Sequence, residues 1–324
     1  MKVTVIGANG FGKIHMASWN RMGVELEIFS RSQAARDQAA STYGAVKSYS
    51  SIDEALSSGA EIVDIILPHN MHRDVAVEAM RRGKHVLLEK PIATDIAEAE
   101  EMIAESRKQN VKFMVAEQYY FDSASAWVRD AIASGSVGKV NAVIIRDQRF
   151  FAGEGWRRVA DVMGGGALVD GGIHYVDTLL NFGGGYSDVK SFTSKGGAPI
   201  EEDDTAFALF RFDSGAIGSL FYCWSYRNAV RVPAYEVIGT DGSIVEDMNT
   251  KPLVDFKYME GTRHAFGRPV LNGNVVDIEI GDAFDAEIGG FLASVEKNEK
   301  VPFSPELALR DLRAVKDIYS NSSR

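Results

Sequence analysis

The segment Lys2–Arg21, KVTVIGANGFGKIHMASWNR, decides how the first part of the chain folds. Lys2–Ile6 is a short β-rich run, and it passes straight into Gly7-Ala8-Asn9-Gly10-Phe11-Gly12 and then into a helical stretch, Lys13–Arg21. Strand, glycine turn and helix in that order place a pyrophosphate on backbone N–H groups at a helix N-terminus. Glycines alone are a weak signal; their position at the first strand-to-helix junction strengthens it. Gly7 and Gly12 hold the first and third glycine positions, while Asn9 stands at the second and tolerates a left-handed backbone better than most residues. Gly7, Asn9, Gly10, Phe11 and Gly12 are therefore the expected cofactor turn.

The alternation continues outward. A second strand, Val24–Phe29, ends at Ser30-Arg31-Ser32. An NAD-preferring domain places an Asp or Glu there for the ribose 2′-hydroxyl, whereas a hydroxyl and a guanidinium suit a 2′-phosphate. Ser30 and Arg31 thus favour NADP(H), with NAD(H) as the alternative and a solvated Arg31 as the plain reading. Helices at 33–43, 51–57, 73–82 and 95–109 interleave with strands at 45–48, 62–67, 85–88 and 112–116, which argues for a mostly parallel sheet covered on both faces. Ligands of such sheets bind beyond the carboxyl ends of the strands. Pro68, His69 and His72 follow one strand, and Glu89-Lys90-Pro91 follows another. The two histidines offer too few ligands for a metal. An ammonium at Lys90 can serve as a fixed charge or as an acid/base group.

Further along, Gly164–Asp177 reads GGGALVDGGIHYVD. As a helix it puts Asp170, His174 and Asp177 on one face, with Leu168, Ile173, Val176, Leu179 and Leu180 mostly on the other. Gly171 and Gly172 cost such a helix about 1 kcal/mol each, so its backbone should lie close to something flat. A solvated surface helix is the equal alternative. Phe150–Met163, just upstream, carries Phe151, Trp156, Arg157 and Arg158, residue types that cover sugar rings and hold hydroxyls.

With GANGFGKIH, PHNMH, LLEKP and GGGALVDGGIHYVD in this order, the chain resembles the glucose–fructose oxidoreductase / inositol dehydrogenase (Gfo/Idh/MocA) family. The resemblance implies an α/β protein: an N-terminal Rossmann domain with a doubly wound parallel sheet, and a C-terminal α/β domain with a large, mostly antiparallel sheet that often mediates oligomerisation. It implies that Lys90, Asp170 and His174 match catalytic positions and that Glu89 lies near the cofactor. His69 stands where many members have Asn beside the nicotinamide ribose, and Tyr120 where many have Arg. The expected domains are 1–118 for the cofactor and 119–324 for substrate binding and oligomerisation, with the last helix able to pack back on the first domain. Lys90, Tyr120, Trp156, Arg157, Asp170 and His174 are the expected substrate contacts.

Composition narrows the function. A formal net charge of −10 with no basic stripe argues against nucleic acid or an anionic membrane as partner. The one cysteine, Cys223, excludes an internal disulfide framework and suits a reducing cytoplasm. The strand starting at Lys2 leaves no room for a signal peptide, and no apolar run reaches membrane-spanning length. Strands rich in Phe207, Phe210, Phe212, Phe221, Tyr222, Trp224 and Tyr226 alternate their aromatics between two faces, and one aromatic face needs a partner, so a homodimer or homotetramer is expected. The reading is an NADP(H)-preferring oxidoreductase acting on a small sugar or polyol. An NAD-dependent glycoside hydrolase working through transient oxidation and a non-catalytic cofactor-binding regulator are the alternatives.

Overall fold

The computed structural model describes residues 1–253, 259 and 261–322, and the chain folds into two compact units. The first comprises Met1–Gln118 with Phe284–Leu309, and the second Tyr119–Ala283 with Arg310–Arg324.

In the first unit six short strands form one parallel sheet: β1 (Lys2–Ile6), β2 (Glu25–Phe29), β3 (Lys47–Tyr49), β4 (Ile62–Ile65), β5 (His85–Glu89) and β6 (Phe113–Ala116). Their order is β3-β2-β1-β4-β5-β6, so the direction of winding reverses between β1 and β4. This is the strand order of a dinucleotide-binding Rossmann sheet, and the crevice at the reversal is where such sheets take ligands. Helices α1 (Phe11–Arg21), α2 (Gln33–Tyr43), α3 (Ile52–Leu56), α4 (His72–Arg81) and α5 (Ile96–Gln109) are the crossovers. Central strands are mostly apolar because both faces are covered; Val3, Val5, Ile62, Val63, Val86 and Leu87 are wholly buried, and Thr4 and Asp64 are the buried polar exceptions in β1 and β4. Helices α2 to α5 begin within a residue of the limits expected from the sequence. Helix α1 starts at Phe11, two residues before the predicted Lys13.

In the second unit α6 (Gln118–Phe121) and α7 (Ser123–Ala133) precede β7 (Val140–Gln148). The short α8 (Ala160–Met163) and the long α9 (Ile173–Gly183) follow. Then come β8 (Tyr186–Ser194), β9 (Thr205–Phe212), β10 (Ile217–Cys223), β11 (Tyr235–Gly239), β12 (Ser243–Glu246), β13 (Pro269–Leu271) and β14 (Asn274–Val275). They form one sheet in the order β14-β13-β12-β11-β7-β10-β9-β8, antiparallel except for the β7–β10 pair. Phe210, Phe212 and Tyr222 point to the covered side, while Phe192, Phe207, Leu209 and Ile217 stand exposed on the other. Phe192 lies directly opposite Phe207 in the β8–β9 register. Helices α10 (Ala283–Glu296) and α11 (Pro305–Ser320) end the described chain. The last two strands are not legible as strands in the sequence, being three and two residues long. Among the described residues no helix is long and apolar enough to cross a membrane.

Candidate active site

The turn at 7–12 is shaped by backbone packed against backbone. A β-carbon added to Gly7 would overlap the Ile66 carbonyl, and one added to Gly12 would overlap the carbonyl of Gly7. Gly10 is in the left-handed region, at φ 57°, with open space beside it. This corrects the role foreseen for Asn9, which does not have a positive φ; it keeps its place in the turn by accepting the Gly12 N–H at 3.0 Å. Ser32, Ser51, Asp95 and Asp122 cap the N-termini of α2, α3, α5 and α7 with their side chains. Helix α1 has no side-chain cap and no acidic residue in its first turn. Its orphan N–H groups and positive dipole end therefore suit a pyrophosphate, and the residues present fit a dinucleotide.

At the end of β2, Ser30 is buried and Arg31 is exposed. Arg36, one turn into α2, donates through Nη1 to the Ser30 carbonyl, which brings a second guanidinium to the strand end.

The two histidines after β4 are both buried. His72, one of the expected cofactor residues, is engaged in a structural tie. Its Nδ1 lies 2.8 Å from the Pro91 carbonyl and its Nε2 3.0 Å from the Leu67 carbonyl, so the ring links the loops after β4 and β5. Burial, with the neighbouring His69, pushes its pKa down to about 4. A neutral ring carries one N–H, so it donates to one of these carbonyls at a time.

Glu89 and Lys90, at the end of β5, are also buried. Glu89 Oε2 accepts the Lys90 backbone N–H at 3.1 Å, while Oε1 lies 3.2 Å from His15 Nε2. The other nitrogen of His15 meets Asp64 Oδ2 at 2.9 Å, and Trp19 donates to that same oxygen at 2.7 Å. Burial opposes a charge on His15, but Asp64 and Glu89 outweigh it and hold the pKa well above the ordinary value. An imidazolium bridging two carboxylates thus anchors the strand end that carries Lys90. Nothing in the order of residues signals this bridge, because His15, Asp64 and Glu89 stand on three separate elements.

In the second unit the glycine-rich segment is helical, with a defect. Leu168–Gly172 forms a π-turn that runs into α9. Such turns recur at functional sites. The polar face of the segment is buried, which excludes the solvated surface helix: Asp170 is 3% exposed, His174 6% and Asp177 not at all. The flat neighbour that the glycines called for is the Tyr222 side chain. A β-carbon at Gly171 would overlap the Tyr222 hydroxyl oxygen, with Trp224 Cζ2 at 3.2 Å. Asp203 fixes the start of the segment, its carboxylate accepting the N–H groups of Gly166 at 3.1 Å and Leu168 at 3.2 Å.

Around this segment the side chains sort themselves. Asp170 Oδ2 accepts from Arg157 Nε at 2.7 Å, and the Arg157 guanidinium lies 4.3 Å from the Trp156 ring centre. Arg157 and Trp156 therefore reach the segment together, through Asp170. The His174 ring stacks on Tyr119, with centroids 4.3 Å apart and planes 11° from parallel. Sequence reasoning misses Tyr119, since the resemblance points to Tyr120; the ring of Tyr120 instead lies under the Arg129 guanidinium at 3.9 Å. Asp177, which spacing offers as a partner for the imidazole, accepts from Arg310 Nη2 at 2.9 Å and Asn181 Nδ2 at 2.8 Å. Cys223 is a free, buried cysteine. Among the described residues no group of three or more His, Cys, Asp or Glu side chains is placed to hold a metal.

An uncapped glycine turn on a Rossmann sheet, together with a buried Asp-x-x-x-His segment on a second sheet domain, defines an NAD(P)-dependent oxidoreductase. Residues 1–117 match the family model described as oxidoreductase family, NAD-binding Rossmann fold, and residues 126–245 match the GFO/IDH/MocA C-terminal domain. The chain belongs to the Gfo/Idh/MocA oxidoreductase family. It is 28% identical over 212 residues to levoglucosan dehydrogenase of Pseudarthrobacter phenanthrenivorans, a match that covers 57% of this chain and spans 54% of that relative. It is 29% identical over 242 residues to 1,5-anhydro-D-fructose reductase of Ensifer adhaerens, covering 71% of each. The solved structure of a levoglucosan dehydrogenase in complex with NADH and levoglucosan superposes with a TM-score of 0.84 at 22% identity, over 99% of this chain and 97% of that one, which shows the shared fold.

Gly171→Ala should destabilise the protein by about 1–3 kcal/mol through overpacking. In a Tyr222→Phe background, which itself loses the Trp224 Nε1–H bond to the hydroxyl at 2.6 Å, Gly171→Ala should cost clearly less than in the wild type, because the next contact, Tyr222 Cζ at 3.1 Å, is tight but tolerable. Denaturant unfolding of both single variants and the double variant checks this, and a Gly171→Ala cost that is the same in both backgrounds would reject it. For Asp203, burial lifts the pKa from its usual 3.8 to about 6. Between these values the native state keeps a proton that the unfolded chain releases, so this contribution to stability is full below pH 3.8 and is lost as pH rises to about 6. The stability difference between the wild type and Asp203→Asn should shift by roughly 3 kcal/mol across that window, favouring the wild type at the acid end. A pH-independent difference would reject the assignment.

Proposed function

We propose that the protein transfers a hydride between a nicotinamide and a secondary alcohol or ketone carbon of a sugar or polyol, with NADP(H) preferred. The observation that carries this reading is the buried Asp170–His174 segment, held rigidly by Tyr119, Asp203 and Tyr222, in a chain that presents Lys90 at the end of a Rossmann strand. Relatives named as levoglucosan dehydrogenase and anhydrofructose reductase support the substrate class.

The nicotinamide, when bound, accepts or returns the hydride. The glycine turn and the uncapped N-terminus of α1 would hold the pyrophosphate, and Pro68, His69 and Glu89 would line the nicotinamide end. Loss of hydride from carbon requires the hydroxyl proton to leave. His174 takes that proton, and the Lys90 ammonium supplies the kind of charge that stabilises a developing oxyanion. Asp170 binds a neighbouring hydroxyl, oriented by Arg157, while Trp156 covers an apolar face of the ring. In the reducing direction His174 or Lys90 returns the proton. The preference for NADP(H) rests on Ser30, Arg31 and Arg36 at the end of β2, where two guanidinium groups suit a 2′-phosphate; the levoglucosan dehydrogenase structure, by contrast, holds NADH.

Nicotinamide absorbance with purified protein against polyols, aldoses and ketoses, each with NADP and NAD in the matching redox state, tests the reading. Net turnover should appear, with higher kcat/KM for NADP, and His174→Ala should lower kcat by about 10²–10⁴ with cofactor affinity retained. Turnover unchanged in His174→Ala would overturn the assignment of the base, and cleavage of aryl glycosides without net cofactor reduction would favour the hydrolase.

For the exposed apolar face of β8–β10 the partner we propose is a second copy of this chain, since Phe192, Phe207, Leu209 and Ile217 are 64%, 45%, 47% and 54% exposed on one side of the sheet. Sedimentation should show a dimer or tetramer at micromolar concentration; a monomer alone would reject it.

A further inference from the structure

At the carboxyl end of β7 the second unit holds a cavity of about 380 Å³ whose wall is cationic, in a chain of net charge −10. Arg146 and Arg149 reach it from β7 and the residue just beyond, Arg231 and Lys251 from two loops, and His264 from a third. Two of these charges are matched within the protein. Arg149 Nε meets Asp147 Oδ2 at 2.7 Å, and Lys251 Nζ meets Glu246 Oε2 at 2.8 Å.

Among the described residues the other two guanidinium groups have neutral partners. Arg146 Nε donates to the Pro233 carbonyl at 2.9 Å, a bond that leaves both terminal NH₂ groups for something else. Arg231 Nη2 donates to the carbonyls of Lys251 at 2.8 Å and Met248 at 3.5 Å. Two arginines without a carboxylate partner among the described residues are therefore among the residues that line one concave space. Guanidinium groups bind carboxylate and phosphate through paired N–H donors, and the volume lies in the range that holds a monosaccharide-sized ligand. Tyr119 also lines this cavity while carrying the His174 ring on its face, so the cavity and the candidate catalytic imidazole share one wall.

We propose that the cavity binds the carboxylate or phosphate group of a small organic anion, with Arg146 and Arg231 as its ligands. The inference rests on the hydride-transfer reading only for the source of the anion: an acidic substituent of the substrate, or a separate molecule. Calorimetry on the full chain saturated with NADP, titrated with glucuronate, glucose 6-phosphate, inorganic phosphate and glucose, tests the site itself. Glucuronate or glucose 6-phosphate should bind about tenfold or more tighter than glucose, as a charge-assisted pair predicts. Arg146→Met and Arg231→Met should each remove that advantage, and Arg146→Lys should restore part of it. Arg231 lies at the surface, so its variant keeps the test sound if Arg146→Met fails to fold. Arg268→Met, which breaks an exposed pair with Asp277, should leave binding unaltered.

The turnover arm separates the sources. Faster turnover of the acidic sugar than of glucose, lost in Arg146→Met, makes the anion part of the substrate, whereas anion binding without that preference makes it a separate ligand; both uphold the site. Anions that bind no tighter than glucose, or that bind undiminished in both Met variants, would overturn it. Absence of turnover with every sugar would count against the hydride-transfer reading alone and leave the calorimetric result standing.

Discussion

Close approach of backbone to neighbouring groups is the constraint on which both functional segments depend. Side chains at Gly7 and Gly12 would collide with carbonyl groups inside the turn that leads into α1. Side chains at Gly166 and Gly171 would collide with Asp203 and Tyr222 around the π-turn that leads into α9. In each case a helix begins tighter against its surroundings than any β-carbon allows, and chemistry-bearing groups lie at that start. The α1 turn gains N–H groups left open for an anion. The α9 turn gains a helix whose first residues are fixed from both sides, which holds Asp170 and His174 with little room to move.

Buried titratable groups within the first unit settle into opposite states, and the difference follows from what stands nearby. His15 is wholly buried yet favours its charged form, since two carboxylates lie within hydrogen-bond reach. His72 is equally buried, and burial together with the neighbouring His69 keeps it neutral, since the carbonyls of Pro91 and Leu67 offset only part of that. Glu287 is buried near Asp64, Glu89 and Glu117, and burial pushes its carboxyl well up despite His15, while these three acids add to the shift. A proton on Glu287 limits the negative charge that the single His15 cation must balance.

The Rossmann half was legible in the sequence because its elements are set by local rules. Alternating apolar strands and capped helices placed β1 and α2 at their observed limits, and the turn chemistry of 7–12 named the cofactor end. The strong β9–β10 hairpin was equally clear from Asp213-Ser214-Gly215. What stayed hidden depends on contacts distant in sequence. His15 with Asp64 and Glu89, Asp177 with Arg310, and Asp203 with Gly166 join residues 37 to 133 positions apart. The π-turn was invisible for another reason: helical spacing predicts which residues share a face, not that one extra residue is accommodated in the ladder. Tyr119 and Tyr120 are adjacent tyrosines, and only packing decides which of them meets His174.

The manner in which each histidine is held separates structural imidazoles from the one suited to exchange a proton. N–H donors and lone pairs of the ring lie in its plane, so a hydrogen-bond partner at an edge occupies a nitrogen. His15 has carboxylates at both edges, and His72 has carbonyls at both. Both nitrogens of each ring are therefore covered by oxygens of the protein, and an alcohol has no open edge of either ring to approach. His174 is supported on its face, where the Tyr119 stack fixes the ring plane. A base that must receive and return a proton in each turnover needs its orientation fixed by something other than the atoms that do the exchange. Of these three, His174 is the one with a parallel aromatic ring against its face, which supports the proton-transfer role proposed for it.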